Sequence, residues 1–182
     1  MTFPGGSSDA ATALMLANET LEQPLARDRL HSLAAQLGAD VPFFLTDGPQ
    51  LGTGTGTELE QLPLPQDFWI VLVLPSGAQK LSTADVYESF DGGAGFEERR
   101  RALLAALERV QRPVDLAALP PSDLATSPLS DELLAAGAFR ADVSGAGPTV
   151  YGLFMRERDA TAAAQRLRPR GRVWITAPAW YR

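Results

Sequence analysis

The sequence of 182 residues has no cysteine, one histidine (His31) and one lysine (Lys80). The lack of cysteine excludes disulfides, thiolate nucleophiles, zinc–thiolate sites and iron–sulfur clusters in this chain. It also fits a reducing compartment such as the cytoplasm. Because His31 lies in a polar stretch, we expect it to be solvated. The sequence therefore predicts neither a histidine-dependent catalytic triad nor a metal site.

An excess of basic charge and a long apolar run are also missing. Sixteen basic residues stand against 22 acidic ones, which gives a net charge of −6. This balance argues against a nucleic-acid partner, since nucleic-acid binders show a basic stripe or excess. The longest apolar run, at 68–74, is too short to cross a bilayer, so we expect no membrane partner. The composition is that of a globular protein.

Pro63 and Pro65 mark the best candidate domain boundary. We therefore predict one domain at 1–66 and a second at 67–182. From the buried strand at 68–74 onward, the order is strand, helices, strand, strand, helix, strand, which is typical of a ferredoxin-like α+β domain. The predicted strands are 68–74, 139–143, 149–154 and 172–176, and the predicted helices are 82–89, 97–110, 131–136 and 159–167.

The first domain is predicted to contain two helices and short extended segments. One helix follows a Gly-Ser turn, with Ser7 or Ser8 as its N-cap. The second runs from 27 to 37, where leucines and an alanine recur at helical spacing, and it ends at Gly38. Short extended segments are expected at 43–45 and 50–53.

The first candidate site is Gly5-Gly6-Ser7-Ser8. Glycines before a helix let a ligand approach the backbone closely, and the positive end of the helix favours a phosphate. The alternative is an ordinary capped helix after a flexible terminus. The motif alone leaves both open.

The second candidate is Asp40, between the helix-ending Gly38 and the apolar stretch at 41–44. A carboxylate among apolar neighbours needs a partner, a cation or a chemical role. As a general base it would accept a hydroxyl proton during phosphoryl transfer. The alternative is that Asp40 caps the turn started by Pro42.

The third candidate is the glycine-rich segment from Ser144 to Thr149, between two predicted strands. It is either a tight hairpin or a place where the backbone approaches a phosphate or another domain. A weaker candidate is the pair Thr83 and Tyr87, which fall on one face of a predicted helix and would present a hydroxyl and a ring to a ligand. An amphipathic helix alone also explains them.

Taken in this order, the motifs resemble those of the GHMP kinase family, which includes galactokinase, homoserine kinase, mevalonate kinase and phosphomevalonate kinase. The resemblance extends over almost the whole chain. The segment at 37–45 is most similar to the members that act on a cytidine-diphosphate-linked methylerythritol in non-mevalonate isoprenoid biosynthesis. The matching segments are GGSSDAA from Gly5, LGADVPFFL from Leu37, TGTGTEL from Thr53, STADVY from Ser82, SDL from Ser122 and SGAGPTVY from Ser144.

This resemblance implies a small-molecule kinase that uses ATP and Mg²⁺ to phosphorylate the 2-hydroxyl of its substrate. It implies that Asp40 is the catalytic base and that the segment at 5–8 binds ATP. Thr83 and Tyr87 match positions on the substrate side. The residues that match the family's third glycine motif are Ser144, Gly145, Gly147 and Thr149.

The sequence departs from the family in one large respect. The family's upstream third, with a catalytic lysine and much of the nucleotide pocket, has no match here, and Lys80 lies downstream. We therefore expect an N-terminally truncated member, with an incomplete N-terminal domain at 1–66 and a ferredoxin-like C-terminal domain at 67–182. Three alternatives stay open: another small-molecule kinase of the family, an inactive domain that binds nucleotide at most, and a nucleic-acid role of the ferredoxin-like half.

Overall fold

A computed structural model of the chain describes residues 5–77 and 95–178. The chain divides into two compact units, Met1–Pro63 and Leu64–Arg182, and each is described by itself. The predicted helix at 82–89, with Thr83 and Tyr87, lies outside the described residues. So does Lys80.

Residues 5–63 of the first unit form two helices, a 3₁₀ helix and a hairpin. Its elements are α1 (Gly5–Glu19), α2 (Arg27–Leu37), the 3₁₀ helix Pro42–Leu45, β1 (Gln50–Thr53) and β2 (Glu58–Gln61). The bounds of α2 confirm the prediction from its leucine spacing. Its end is closed by Gly38, whose N–H donates to the carbonyl of Ala34 at 3.2 Å. Strands β1 and β2 pair antiparallel around a glycine-rich turn.

Two local predictions in this unit are wrong. The segment 43–45 is helical rather than extended, because Pro42 occupies the first helical position and Val41 before it already has helical angles of −65° and −42°. Phe43 and Phe44 then pack edge to face, with ring centroids 5.2 Å apart. The second concerns the N-cap at Ser7 or Ser8: α1 already includes Gly5, so both serines lie inside the helix.

The core of the first unit is small. Within residues 5–63, its one cluster of buried residues in mutual contact is Ala11 of α1, Ala34 of α2 and Val41, and larger side chains such as Leu14 and Phe44 only flank it. Leu30 and Pro42 are also buried, whereas Leu16 and Leu37 are 58% and 60% exposed. Because the cluster consists of two alanines and one valine, it provides little apolar burial.

The second unit is built on a four-stranded antiparallel sheet. Its strands are β3 (Trp69–Pro75), β4 (Arg140–Val143), β5 (Val150–Phe154) and β6 (Gly171–Thr176), in the order β4-β5-β3-β6. All neighbours are antiparallel, with Val71 opposite Gly152 and Ile175, and Ala141 also opposite Gly152. The first and last strands, β3 and β6, are neighbours, and β5 lies between β3 and β4, so the two strands joined by the first crossover are separated by a third. This order confirms the ferredoxin-like α+β prediction.

Within residues 64–77 and 95–178, three helices accompany this sheet: α3 (Phe96–Leu107), α4 (Pro128–Ala135) and α5 (Glu157–Leu167). Helices α4 and α5 bury Leu133 and Leu167 in the same cluster as Val71 and Phe154 of the sheet. Helix α4 begins three residues before the predicted 131–136, because Ser127 caps it by accepting the Leu129 N–H and Pro128 takes the first position.

Candidate functional site

The Gly-Ser segment forms the first described turn of α1. Gly6 is exposed, and Ser7 and Ser8 are half-buried. A Cβ added at Gly6 would have no heavy atom within 4 Å, so the chain itself does not require glycine there. Packing within the described residues therefore leaves Gly6 unexplained, and a ligand that needs close access to the backbone would explain it.

Asp40 lies in the turn that connects α2 to the 3₁₀ helix. The N–H of Val41 donates to the carbonyl of Gly38 at 3.1 Å across this turn. Val41 and Pro42 are buried, but Asp40 is exposed, so the expectation that its carboxylate lies among apolar neighbours is wrong for this chain. The reason is local: the apolar packing begins one residue later, at Val41. Among the described residues, the Asp40 side chain has no hydrogen bond or ion pair, so it does not cap the next turn.

The fold of the first unit brings the Gly-Ser segment and the Asp40 turn to the same packing contact. Ala11 and Val41 are both fully or almost fully buried in one cluster. Ser7 lies one helical turn before Ala11 and on the same face of α1, since residues four apart are neighbours on a helix. Asp40 directly precedes Val41. The Gly-Ser segment and the Asp40 turn therefore flank one packing contact, while their roles toward a phosphate and a hydroxyl stay predictions.

The glycine-rich segment forms the hairpin between β4 and β5. The Ser144 N–H donates to the Thr149 carbonyl at 2.8 Å, and the Gly147 N–H donates to the Ser144 carbonyl at 3.0 Å. Gly145 and Gly147 have φ values of 58° and 80°, in the left-handed region that favours glycine. The hairpin prediction is thus confirmed, while a role toward a phosphate stays a prediction. Ser144 and Gly145 are exposed at the tip, and Thr149 is buried.

A cavity of about 220 Å³ lies beside this hairpin. One side is formed by the glycine-rich segment and the other by the irregular segment that leads into α4. Two hydroxyls, those of Thr126 and Ser127, come from that second side. The lining residues are Pro75, Ala125, Thr126, Ser127, Val143, Ala146, Gly147 and Pro148.

Sequence reasoning missed a buried ion pair in the strand before this hairpin. Arg140 and Asp142 of β4 have side chains only 12% and 11% exposed, and their Nη2 and Oδ2 atoms lie 3.1 Å apart. Residues two apart on a strand share a face, which is the one signal in the sequence that relates them. Nothing in their spacing indicates that both are buried.

The chain is similar in sequence to known proteins over almost its whole length. Residues 96–172 match the family model described as "GHMP kinases C terminal". The chain is 39% identical over 181 residues to a 4-diphosphocytidyl-2-C-methyl-D-erythritol kinase of Geobacter sulfurreducens, covering 95% of this chain and 62% of that protein. A protein of the same name from Desulfitobacterium hafniense is 36% identical, with 94% and 62% covered.

The chain is also similar to solved structures. A crystal structure of 4-(cytidine 5'-diphospho)-2C-methyl-D-erythritol kinase superposes with a TM-score of 0.71 at 29% identity, covering 95% of this chain and 64% of that one. Residues 96–172 form a GHMP kinase C-terminal domain. A mevalonate kinase from methicillin-resistant Staphylococcus aureus, at 14% identity and a TM-score of 0.60, shares the fold of this chain.

These comparisons also show how much of its relatives' length the chain spans. The chain spans 62% of the length of the Geobacter and Desulfitobacterium relatives. Within residues 5–77 and 95–178, no helix is long and apolar enough to cross a membrane. In the same ranges, no three histidine or acidic side chains come together as a group that could hold a metal ion.

Proposed function

We propose that this chain catalyses the ATP-dependent phosphorylation of the 2-hydroxyl of 4-diphosphocytidyl-2-C-methyl-D-erythritol. One observation carries the proposal: relatives at 36–39% identity across 94–95% of this chain bear the name of that kinase. An identity this high across both units supports a common substrate rather than a common fold alone. Because the reaction consumes ATP, we place it in the cytoplasm.

The Gly-Ser segment is our candidate for the ATP phosphates. Gly5, Gly6, Ser7 and Ser8 form the first described turn of α1. The N-terminal end of a helix presents free N–H groups and a positive dipole end, which favour phosphate oxygens. The two serine hydroxyls add donors. Mg²⁺ enters as part of the MgATP substrate, and the phosphates are its main ligands.

Asp40 is our candidate for the base. An exposed carboxylate in a turn is accessible to a substrate hydroxyl. In the proposed step the carboxylate accepts the hydroxyl proton, the oxygen forms a bond to the γ-phosphorus, and the bond to the β,γ-bridging oxygen breaks to release ADP. The positions of Thr83 and Tyr87 make them our candidates for substrate contacts. In the second unit, Ser144, Gly145, Gly147 and Thr149 are our candidates for a glycine motif that supports a bound nucleotide.

A second candidate function is nucleotide binding without turnover. The observation that favours it is coverage: more than a third of each relative's length has no counterpart in this chain. Phosphoryl transfer depends almost entirely on positioning and charge, so a missing part of the site removes rate before it removes binding.

The test is phosphate transfer from γ-labelled ATP by the purified chain. Three acceptors are offered: cytidine-diphosphate-linked methylerythritol, mevalonate and homoserine. We expect label in the first alone, and a loss of about a hundredfold or more in Asp40→Asn. Asp47→Asn, which changes an exposed aspartate of the same unit, is the matched control and retains the wild-type rate. MgATP binding without label transfer supports the second candidate, and absence of both overturns the proposal.

A further inference from the structure

The Arg140 guanidinium uses all of its five N–H groups as donors. Nε–H donates to the Tyr151 hydroxyl at 3.1 Å. The two Nη1 protons go to the carbonyls of Leu116 and Leu119, at 3.2 and 2.6 Å. The Nη2 protons go to the Pro120 carbonyl at 2.9 Å and to Asp142 at 3.1 Å. A buried arginine is rarely satisfied this completely by chance, since each partner must match its fixed planar geometry.

Asp142 is satisfied by the same construction. Its Oδ2 accepts the Ser122 N–H at 2.8 Å as well as Arg140, and its Oδ1 accepts the Val143 N–H at 2.7 Å. The carboxylate therefore joins the start of the 122–127 segment to the residue just before the glycine motif. Removing one member of such a pair leaves the other charge buried without its partner.

The two side chains hold a segment that has little regular structure of its own. Leu116 lies in the 3₁₀ helix Pro113–Ala118, and the chain from there to the Ser127 cap of α4 contains no strand. Within the described ranges, the carbonyls that Arg140 binds therefore have no backbone hydrogen-bond partner from a neighbouring β-strand. Beyond Ser122 this segment provides Ala125, Thr126 and Ser127, which face the glycine motif across the cavity of about 220 Å³.

We propose that Arg140 and Asp142 are positioning residues that fix the 116–127 segment against β4 and so set the shape of the cavity beside the glycine motif. This inference rests on the proposed function, in which that motif supports a bound nucleotide. The pair touches no reacting atom. It acts through the Ser122 and Val143 amides, which place the two walls of the cavity relative to each other.

The test measures amide hydrogen exchange by NMR on the full chain, and MgATP affinity by titration. In Arg140→Met, we expect the hydrogen-bonded Ser122 and Gly147 amides to exchange about tenfold faster or more, while amides of β3 keep their wild-type protection. Arg140→Lys keeps the charge but has three donors rather than five, so its exchange rates fall between those of the wild type and those of Arg140→Met. Arg170→Gln, which breaks an exposed pair with Glu132, is the control and changes none of these amides.

The double variant Arg140→Met/Asp142→Leu covers the case in which the single variant does not fold, because replacing both charges by apolar groups removes the unpaired buried charge. A folded double variant with fast Ser122 and Gly147 exchange and MgATP binding weakened about tenfold supports the proposal. Wild-type exchange at Gly147 overturns it, and so does fast exchange with unchanged MgATP affinity. If the wild-type chain binds no MgATP, the proposed function fails, while the exchange rates still decide whether the pair holds the cavity walls.

Discussion

Gly6→Ala separates the two interpretations of the Gly-Ser segment, because they predict different effects on stability and binding. Gly6 lies in α1, has no left-handed φ, and leaves open space where a Cβ would be. Alanine is better than glycine in a helix by about 0.5–1 kcal/mol, so the substitution should stabilise the first unit by up to this amount. If the backbone at Gly6 receives the ATP phosphates, the same methyl group obstructs them and the affinity falls.

The assay combines unfolding and binding. All three tryptophans of the chain, at 69, 174 and 180, belong to the second unit, so helix unfolding in the first unit is followed by far-UV circular dichroism rather than by fluorescence. MgATP affinity is measured by titration calorimetry. Thr12→Ala is the matched control, since Thr12 is exposed on the same helix and alanine there also raises helix propensity.

We expect Gly6→Ala to raise the urea midpoint and weaken MgATP binding by about tenfold, equivalent to about 1.4 kcal/mol. Thr12→Ala should raise the midpoint without changing the affinity. A Gly6→Ala chain that is more stable and binds MgATP like the wild type would refute the phosphate-binding interpretation, and the segment would be an ordinary first turn of a helix.

Two further predictions concern the second unit. A Cβ at Gly152 would lie 2.9 Å from Cδ2 of the buried Leu133, so Gly152→Ala should lower the free energy of unfolding by about 1–3 kcal/mol through overpacking. Leu133→Ala should lower it by about 2–5 kcal/mol. The double variant should lose less than the sum, because the added methyl group enters the space vacated by the leucine. Urea unfolding followed by tryptophan fluorescence measures both, and strict additivity would contradict the contact. Hydrogen bonds from the Arg112 side chain and backbone lower the pKa of Asp115 to about 2 from its ordinary 3.8. The ionised Asp115 carboxylate therefore contributes stability above about pH 4, and this contribution is lost as the pH falls through 2. The melting temperature of Asp115→Asn should depend less on pH between 2 and 4 than that of the wild type. Asp67→Asn should follow the wild type.

Local sequence signals predicted much of the fold. The bounds of α2 follow from Leu30, Ala34 and their helical neighbours, with Gly38 as a stop. The order of strands and helices after Phe68 was sufficient to predict the ferredoxin-like sheet. These features depend on periodicity and on glycine or proline, which act within a few residues.

The features that the sequence did not predict depend on distant contacts or on competing local preferences. At 43–45, the aromatic residues favour a strand, but Pro42 and the packing against Val41 select a 3₁₀ helix. Arg140 binds carbonyls more than 20 positions earlier in the chain, and no periodicity relates them. The exposure of Asp40 also depends on distant contacts. Its apolar neighbours in sequence are buried by α1 and α2, which leaves the aspartate itself outside the core.

The most direct test of the central claim is ³¹P NMR of the reaction of the wild-type chain with MgATP and cytidine-diphosphate-linked methylerythritol. We expect ADP and one new phosphomonoester resonance, from the phosphorylated 2-hydroxyl, to grow together in a one-to-one ratio. We expect neither to grow with Asp40→Asn over the same period. A chain that releases inorganic phosphate alone, or that forms the phosphomonoester equally well with Asp40→Asn, would contradict the assigned reaction or the assigned base.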